Sequence, residues 1–371
     1  MALSDFLVVE VATTFAGMYA GRVLAESGLP VLRIEASDER PLEGLDGVGD
    51  RPGSAYLSAN LKKSIIRPAP DKMRELVNRI AASGAVFITD RDDYSEVRSR
   101  IVTCHIQPYR GQAGGVCELP SADVLVQAFM GGASMTGRIG GFPVPMGFPI
   151  GDLAPGIYSA IGVLRGLLDA RAQLITVGAV DATVSLLSYL GCSFFVDGED
   201  IGFIGSGHPY IVPYGAYTAS DGFFIVAAYD QSFWRKLCKL LDRTDLCEDP
   251  RYKRFTGRRD NRNELNALLN SLFSRKTVAE WIRLLQQSDI PNAPVFSLQQ
   301  ALRHEVVTAR NMVTNIDGIP LLDSPIMNLC DRNAGGTGKP RLARDPGALS
   351  RLLPISEQEL RQYCADAGTT G

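Results

Sequence analysis

The stretch Met146 to Leu168, MGFPIGDLAPGIYSAIGVLRGLL, organises the fold around it. Small and apolar residues recur at helical spacing from Leu153. Pro155 lies among the first helical positions, where its missing N–H removes no helical hydrogen bond. Asp152 is the one acidic residue of the stretch, and its place predicts the N-cap of a long apolar helix. An N-cap carboxylate accepts backbone N–H bonds at the positive end of the helix dipole, so we expect it to be ionised and held in place.

A second interpretation of Asp152 comes from its neighbours. Gly147, Pro149 and Gly151 let a ligand approach the backbone closely. A lone carboxylate in an apolar frame is also a candidate nucleophile, although most acids in this position are only caps. Both interpretations stay open at this point.

Length and composition describe an ordinary protein that is long enough for two domains. Of 371 residues, 45% are hydrophobic and 21% charged, and the net charge is −3. No basic excess points to nucleic acid or to an anionic membrane. The arginine-rich stretch from Arg251 to Arg262 has Asp260 and Glu264 close by, so we interpret it as a charged helical surface and not as an RNA site.

The N-terminal sequence and the cysteines indicate the compartment. MALSDFLVVEVA has no basic region before its apolar run, and no long hydrophobic span follows, so we expect a cytoplasmic protein without a membrane segment. The seven cysteines are scattered without a CxxC pair, and there are three histidines. We therefore expect neither a disulfide framework nor a metal site.

The first residues predict a doubly wound α/β domain. An apolar run from Phe6 to Val11 leads through a small-residue turn into a helical pattern from Met18 to Ser27. Gly28 ends that pattern, and a second apolar run, Val31 to Ile34, follows. The turn lacks GxGxxG, which argues against NAD binding.

The composition changes in the second half. Glycine and proline cluster around His208 between Gly198 and Pro213, which indicates a linker or a binding loop. His208 is a candidate general acid or base, although a histidine in such a loop is more often a surface or hinge residue. The segment Gly215 to Tyr229, with Asp221-Gly222 at its centre, predicts a β-hairpin.

Other patterns are less specific. We predict single helices over Ala182 to Leu190 and Leu298 to Met312, and a tail rich in Gly, Pro and Arg from Asn333 to Gly347 that is too long to pack locally. Lys62-Lys63, between apolar flanks, is either a solvated face or a phosphate contact.

A series of segments, spread over nearly the whole chain, matches the pattern of one known family in order. They are Phe15 to Gly28, Ile34-Glu35, Leu57 to Ser64, Asp123 to Thr136, Gly147 to Leu168, Asp181, His208 to Gly222, Phe233 to Leu241, Asp249 to Tyr252, Asn261-Arg262 and Glu280-Trp281. Through these segments the chain resembles the class III CoA-transferases, which include formyl-CoA transferase and carnitine CoA-transferase, with alpha-methylacyl-CoA racemase as a relative.

The resemblance implies that Asp152 is the nucleophile. Its carboxylate would attack an acyl-CoA to give an aspartyl anhydride and then an aspartyl-CoA thioester, from which an acceptor acid takes the CoA. Backbone N–H groups at the helix start would receive the developing oxyanion. Coenzyme A is then a substrate, the partners are acyl-CoA and small carboxylic acids, and no metal is needed.

The resemblance also implies the residues that bind CoA. They are Phe15, Ala16, Lys62, Lys63, Arg91, Asp123 and Gly151. The family's usual Asn-Phe-Arg-Pro-Gly corresponds here to Thr89 to Asp93, in which Arg91 is the residue that could substitute. Phe15 matches a glutamine that some transferases place near the nucleophile, which suggests a more apolar acyl pocket.

Two alternatives remain. Two-base racemisation needs a histidine directly before the aspartate that matches Asp123, where this chain has Ala122. An isomerase-like or racemase-like acyl-CoA reaction on the same scaffold is the first alternative. A non-catalytic binding protein is the second, because the CoA-binding segments are altered.

The implied fold is α/β: a Rossmann-like large domain with a parallel sheet plus a smaller α+β domain, in an interlocked, ring-like homodimer. We expect the large domain to comprise residues 1–197 with 325–371 and the small domain residues 214–305. The linkers between them would be residues 198–213 and 306–324.

Overall fold

The computed structural model describes residues 2–36, 52–108, 122–169, 171–198, 200–203, 205–316, 318–326 and 353–365. Contacts divide the chain into two units. The first contains Met1–Gly132, Pro145–Ser188 and Val306–Gly371, and the second contains Ala133–Val144 and Tyr189–Glu305. The domain boundaries expected from the sequence stay a prediction, and the tail from Asn333 to Gly347 lies outside the described residues.

The described strands share short lengths and apolar content. They are β1 Val8–Val11, β2 Val31–Ile34, β3 Ser64–Ile66, β4 Val86–Thr89, β5 Val102–Gln107, β6 Gln173–Gly178, β7 Tyr214–Thr218, β8 Phe223–Ala227, β9 Asn292–Pro294, β10 Val313–Ile316 and β11 Ile319–Leu322.

The helices of the first half lie between the parallel strands or directly after the last of them. They are α1 Phe15–Glu26, α2 Ser54–Ala59, α3 Pro70–Ala82, α4 Asp123–Phe129, α5 Gly132–Met135, α6 Ile150–Leu168 and α7 Ala179–Ser185. The later helices are α8 Tyr189–Asp197, α9 Gln231–Leu240, α10 Asp245–Glu248, α11 Phe255–Asp260, α12 Arg262–Phe273, α13 Val278–Gln287, α14 Leu298–Arg303, α15 Glu305–Thr308 and α16 Glu357–Ala365.

Six parallel strands form the central sheet, which confirms the α/β prediction. Their order is β3-β2-β1-β4-β5-β6, the doubly wound order, and Val8 of β1 pairs with Val31 of β2 and Val86 of β4. The order reverses between β1 and β4. The carboxyl ends of these two strands therefore form the crevice in which such folds usually carry their site.

Helices cover both faces of the sheet, and successive side chains of each strand point to opposite faces. Val9 of β1 and Phe87 of β4 face a core with α3 and α16, whereas Val8 and Val86 face a core with α1 and α6. Within the second core α1 and α6 approach closely. A Cβ on Gly156 would lie 2.9 Å from the carbonyl oxygen of Ala16, so this contact needs a glycine.

The second unit is α+β. Strands β7, β8 and β9 form an antiparallel sheet, and the Asp221-Gly222 hairpin predicted from the sequence is present between β7 and β8. Trp234, Phe273 and Trp281 pack with Phe224 of β8 in its core.

Three local predictions differ from the structure. The helix expected over Ala182 to Leu190 breaks after α7 at Ser188, whose φ is +49°. The helix expected over Leu298 to Met312 is two short helices, α14 and α15, since His304 between them is extended. Strands β10 and β11 form a hairpin inside the predicted return linker, because Gly318, with φ +85°, permits the turn.

No single helix in the described part of the chain is long and apolar enough to cross a membrane. The consecutive helices α7 and α8 have sufficient length and apolar content only when they are taken together. The cytoplasmic location stays a prediction.

Candidate active site

Asp90 binds the start of α1 at the crevice between β1 and β4. Its carboxylate accepts hydrogen bonds from the Thr13 and Thr14 amides at 2.9 and 2.8 Å and from their hydroxyls at 3.2 and 2.6 Å. In dinucleotide-binding folds a phosphate takes this position at a helix N-terminus. Here an internal carboxylate occupies it, which agrees with the missing GxGxxG motif.

Asp152 lies in the first turn of α6, but it is not the N-cap. Pro149 is the N-cap residue, and Asp152 is the third residue of the helix. The amides of Asp152 and Leu153 both donate to the carbonyl oxygen of Pro149, at 3.1 and 2.9 Å. The N-cap prediction was therefore wrong, because the helix begins before Asp152.

The first amides of α6 are already engaged. Ile150 donates to the carbonyl oxygen of Phe148 at 2.8 Å, and Gly151 donates to Oδ1 of Asp123 at 2.7 Å. Among the described residues, no hydrogen bond reaches the half-buried carboxylate of Asp152. The helix start thus does not hold this carboxylate as a cap would.

The pKa of the Asp152 carboxyl is raised to about 7, and this shift contradicts the expected tied-down, ionised group. Burial is the largest cause, followed by the negative charges of Asp123 and Asp90. Protonated and ionised forms of Asp152 therefore coexist near neutral pH.

Asp123 and Gln127 hold the segment that leads to Asp152. Nε2 of Gln127 donates to both carboxylate oxygens of Asp123, at 2.9 and 3.1 Å, and its Oε1 accepts from the Met146 amide at 2.7 Å. No sequence pattern singled out Gln127 or assigned a role to Asp90. Asp123 and Gln127 are four positions apart, a spacing that places two residues on one face of a helix, and this spacing was the available signal in the sequence.

Of the other predicted CoA-binding residues, Ala16 on α1 and Gly151 on α6 are packing positions. Ala16 is fully buried at the contact of α1 with α6, and a Cβ on Gly151 would lie 2.7 Å from the carbonyl oxygen of Asp123. Phe15 begins α1, is half-buried and stacks on Tyr19 with ring centroids 5.8 Å apart.

Lys63 lies in the core, which argues against its predicted phosphate contact. Its side chain is 0% exposed, and Nζ lies 2.6 Å from both Oε2 of Glu10 and the carbonyl oxygen of Met18. Glu10 is also paired with Arg33. Burial lowers the pKa of Lys63 to about 8, and Glu10 opposes that shift.

Lys62 and Arg91 remain accessible. The Lys62 side chain is 27% exposed and pairs with Asp323 at 3.2 Å, and its backbone has φ +65°. Arg91 is 19% exposed, pairs with Asp93 through two bonds of 2.9 Å and lies over the Tyr94 ring. A phosphate at either cation would displace a carboxylate.

His208, in the second unit, holds a turn. Its Nδ1 accepts from the Tyr210 and Ile211 amides at 3.1 and 3.2 Å, which assigns the proton to Nε2, 3.0 Å from the Tyr189 hydroxyl. Burial and then the charge of Arg262 lower its pKa. These contacts favour the structural interpretation of His208. No cluster of three metal-ligating side chains occurs in the described ranges.

Comparison with known proteins identifies the family. The model of CoA-transferase family III matches residues 3–329. The chain belongs to this family. It is therefore an enzyme that transfers CoA, as its relatives' names also indicate.

The CoA-transferase relatives cover most of the chain. The human succinyl-CoA:glutarate CoA-transferase is 26% identical over 336 residues, covering 85% of this chain and 76% of the relative. The Acetobacter aceti acetyl-CoA:oxalate CoA-transferase is 23% identical, covering 95% of each chain. The crystal structure of a CAIB/BAIF family protein from Brucella suis has a TM-score of 0.78 at 23% identity, covering 99% and 100% of the two chains, and this likeness concerns the fold.

The raised pKa of Asp152 predicts a pH-dependent stability. Because its pKa of about 7 lies above the value of about 4 in an unfolded chain, the contribution of Asp152 is most favourable below about pH 4 and is lost as the pH rises to about 7. We expect Asp152→Asn to be more stable than the wild type at pH 8, with a difference that shrinks towards pH 4, in urea unfolding at several pH values. Asp169→Asn serves as the control, because Asp169 is exposed. An Asp152→Asn variant that is less stable than the wild type at pH 8 would contradict the raised pKa of Asp152.

Lys63 and Lys62 form a matched pair for a second test. Lys63→Met leaves Glu10 with one buried cation fewer, so we expect it to lower the free energy of unfolding by about 3 kcal/mol. Lys62→Met should change that free energy by less than about 1 kcal/mol, because its ion pair is partly exposed. Denaturant titration measures both, and equal effects would refute the core role of Lys63.

Proposed function

We propose that this enzyme moves CoA from an acyl-CoA donor to an acceptor carboxylic acid, with Asp152 as the covalent nucleophile. The observation that carries the proposal is the half-buried carboxylate in the first turn of α6, with a pKa raised to about 7 and no hydrogen bond from a described residue. Such a carboxylate is more basic than an ordinary one and is therefore a stronger nucleophile when ionised.

Each step exchanges one acyl bond. An Oδ of Asp152 attacks the thioester carbonyl, the C–S bond breaks, and CoA leaves as the thiolate with a mixed anhydride on Asp152. The thiolate then attacks the aspartyl carbonyl, which releases the donor carboxylate and leaves an aspartyl-CoA thioester. The acceptor carboxylate attacks this thioester and displaces CoA, and the thiolate attacks the acceptor carbonyl of the second anhydride. The products are the new acyl-CoA and free Asp152.

Burial favours the covalent intermediates over the free carboxylate. The anhydride and the thioester carry no charge at Asp152, whereas the free carboxylate is penalised by desolvation and by two neighbouring acids. Acylation therefore relieves an unfavourable charge in the site.

The oxyanion needs donors other than the first amides of α6. The amides of Ile150, Gly151 and Asp152 are engaged as described above. In the part of the chain that the structure describes, the amides of Gly147 and Phe148 have no bonded acceptor, and nothing lies within 4 Å of a Cβ built on Gly147. These two amides are the candidate oxyanion donors.

The substrates are proposed by class. The relatives' names combine succinyl-CoA with glutarate and acetyl-CoA with oxalate. For this chain we propose an acyl-CoA and a small carboxylic acid, with Lys62 and Arg91 as candidate contacts for CoA phosphates. Phe15, which matches a glutamine that some transferases place near the nucleophile, supports an apolar acyl pocket.

Covalent capture tests the nucleophile. We expect incubation with a panel of acyl-CoAs, followed by hydroxylamine or borohydride, to modify the peptide that contains Asp152, as seen by mass spectrometry. Asp152→Asn should lose the adduct and at least 99% of turnover, whereas Asp169→Asn should keep both. Full turnover by Asp152→Asn would refute the mechanism, and product from an acyl-CoA without an acceptor acid would favour isomerisation.

We also propose that the enzyme is a homodimer. Ile157, Ile161 and Leu168 on one side of α6 are 42%, 54% and 90% exposed in the isolated chain. An apolar stripe of this kind supports burial by a second copy. Light scattering coupled to size-exclusion chromatography should give twice the chain mass of 40.1 kDa, and a monomer at micromolar concentration would contradict the proposal.

A further inference from the structure

The Gly151 amide distinguishes α6 from an ordinary helix start. An acidic residue in the first turn usually interacts favourably with the free amides there. In α6, Asp123 from α4 takes the Gly151 amide at 2.7 Å, directly before Asp152. The acid that caps this helix thus comes from another helix, and the acid within its first turn is left without that bond.

Gln127 fixes the acid that caps α6. It is 2% exposed, and its amide nitrogen contacts both carboxylate oxygens of Asp123. Its side-chain oxygen accepts a hydrogen bond from the Met146 amide, and Asp123 accepts one from the Gly151 amide. The two residues together therefore hold both ends of the segment from Met146 to Gly151. That segment leads directly to Asp152.

We propose that Asp123 and Gln127 are positioning residues for CoA transfer, which fix residues 146–151 and withhold the Gly151 amide from Asp152. The inference rests on the proposed function, in which Asp152 is the nucleophile. It replaces the CoA contact expected for Asp123, because its carboxylate is bound to Gly151 and Gln127.

The negative charge of Asp123 disfavours the ionised form of Asp152, as does its hydrogen bond to the Gly151 amide. Asp123 and Asp90 are the charged groups that raise the pKa of Asp152 after burial. Other titratable groups lie on the elements packed around α6: Tyr19, Arg22 and Glu26 on α1, Cys104 and His105 on β5, and Asp181 on α7. Replacing Asp123 by asparagine retains an oxygen acceptor for Gly151 and removes one of the two charges.

The test is the pH dependence of adduct formation in a single turnover with acetyl-CoA, from pH 5 to pH 8. For Asp123→Asn we expect the midpoint of the acid limb to fall by about one pH unit, so that about tenfold more Asp152 is ionised at pH 5. The plateau rate at pH 8 should fall, because a less basic carboxylate is a weaker nucleophile. A purely structural role would lower the plateau without moving the midpoint.

A second variant and a control separate position from charge. Gln127→Leu keeps the Asp123 charge but frees the Met146 amide, so we expect at least tenfold slower adduct formation at every pH with an unchanged midpoint. Asp169→Asn makes the same charge change as Asp123→Asn at the far end of α6, about 25 Å along the helix axis. It should match the wild type in rate and midpoint.

The outcomes distinguish failure of the proposed function from failure of the positioning role. No adduct in the wild type with acetyl-CoA or any longer acyl-CoA overturns the proposed function. An adduct in the wild type, with an unmoved midpoint in Asp123→Asn, overturns the positioning role. If urea unfolding shows that Asp123→Asn does not fold, Gln127→Leu decides, and a wild-type rate in that variant overturns the inference.

Discussion

The close contact between α1 and α6 is the constraint on which the site depends. Gly156 allows the backbone of α6 to approach that of Ala16, so the starts of both helices lie at the same edge of the parallel sheet. Each start is bound by an acid from elsewhere in the chain: Asp90 at α1 and Asp123 at α6. Asp152 lies near both of these acids, and its environment follows from that arrangement.

The resulting balance of forces is unusual for a helix start. The dipole and free amides at a helix N-terminus typically stabilise a carboxylate by a few tenths to about 1 kcal/mol. At Asp152 the amides are engaged, whereas burial and two like charges oppose ionisation, so the net effect on the pKa is upward. A site that penalises the free carboxylate favours the neutral acylated forms of Asp152 that belong to the proposed mechanism.

The sequence predicted those parts of the fold that depend on local pattern. The bounds of β2 and the Asp221-Gly222 hairpin were correct, because an apolar run and turn residues act over a few positions. Asp152 was singled out by its apolar surroundings. The effect of Asp90 and Asp123 on its charge was not predicted, because Asp90 follows β4 and Asp123 lies in α4, and both approach Asp152 only after folding.

Side chains that are adjacent in the sequence can also lie in opposite environments. Lys62 and Lys63 share composition and context in the sequence, yet one lies at the surface and the other in the core. The left-handed backbone at Lys62 reorients the chain between them, and no pattern of hydrophobicity encodes that change.

Asp90 has a consequence for ligand competition. A carboxylate attached to the chain acts at the start of α1 as an intramolecular ligand, and its effective concentration is millimolar or higher. A nucleotide phosphate of equal affinity would have to exceed that concentration in order to displace the four hydrogen bonds of Asp90. The chain thus keeps the strand order of the dinucleotide-binding folds, but its own Asp90 carboxylate occupies the position at which those folds bind a phosphate.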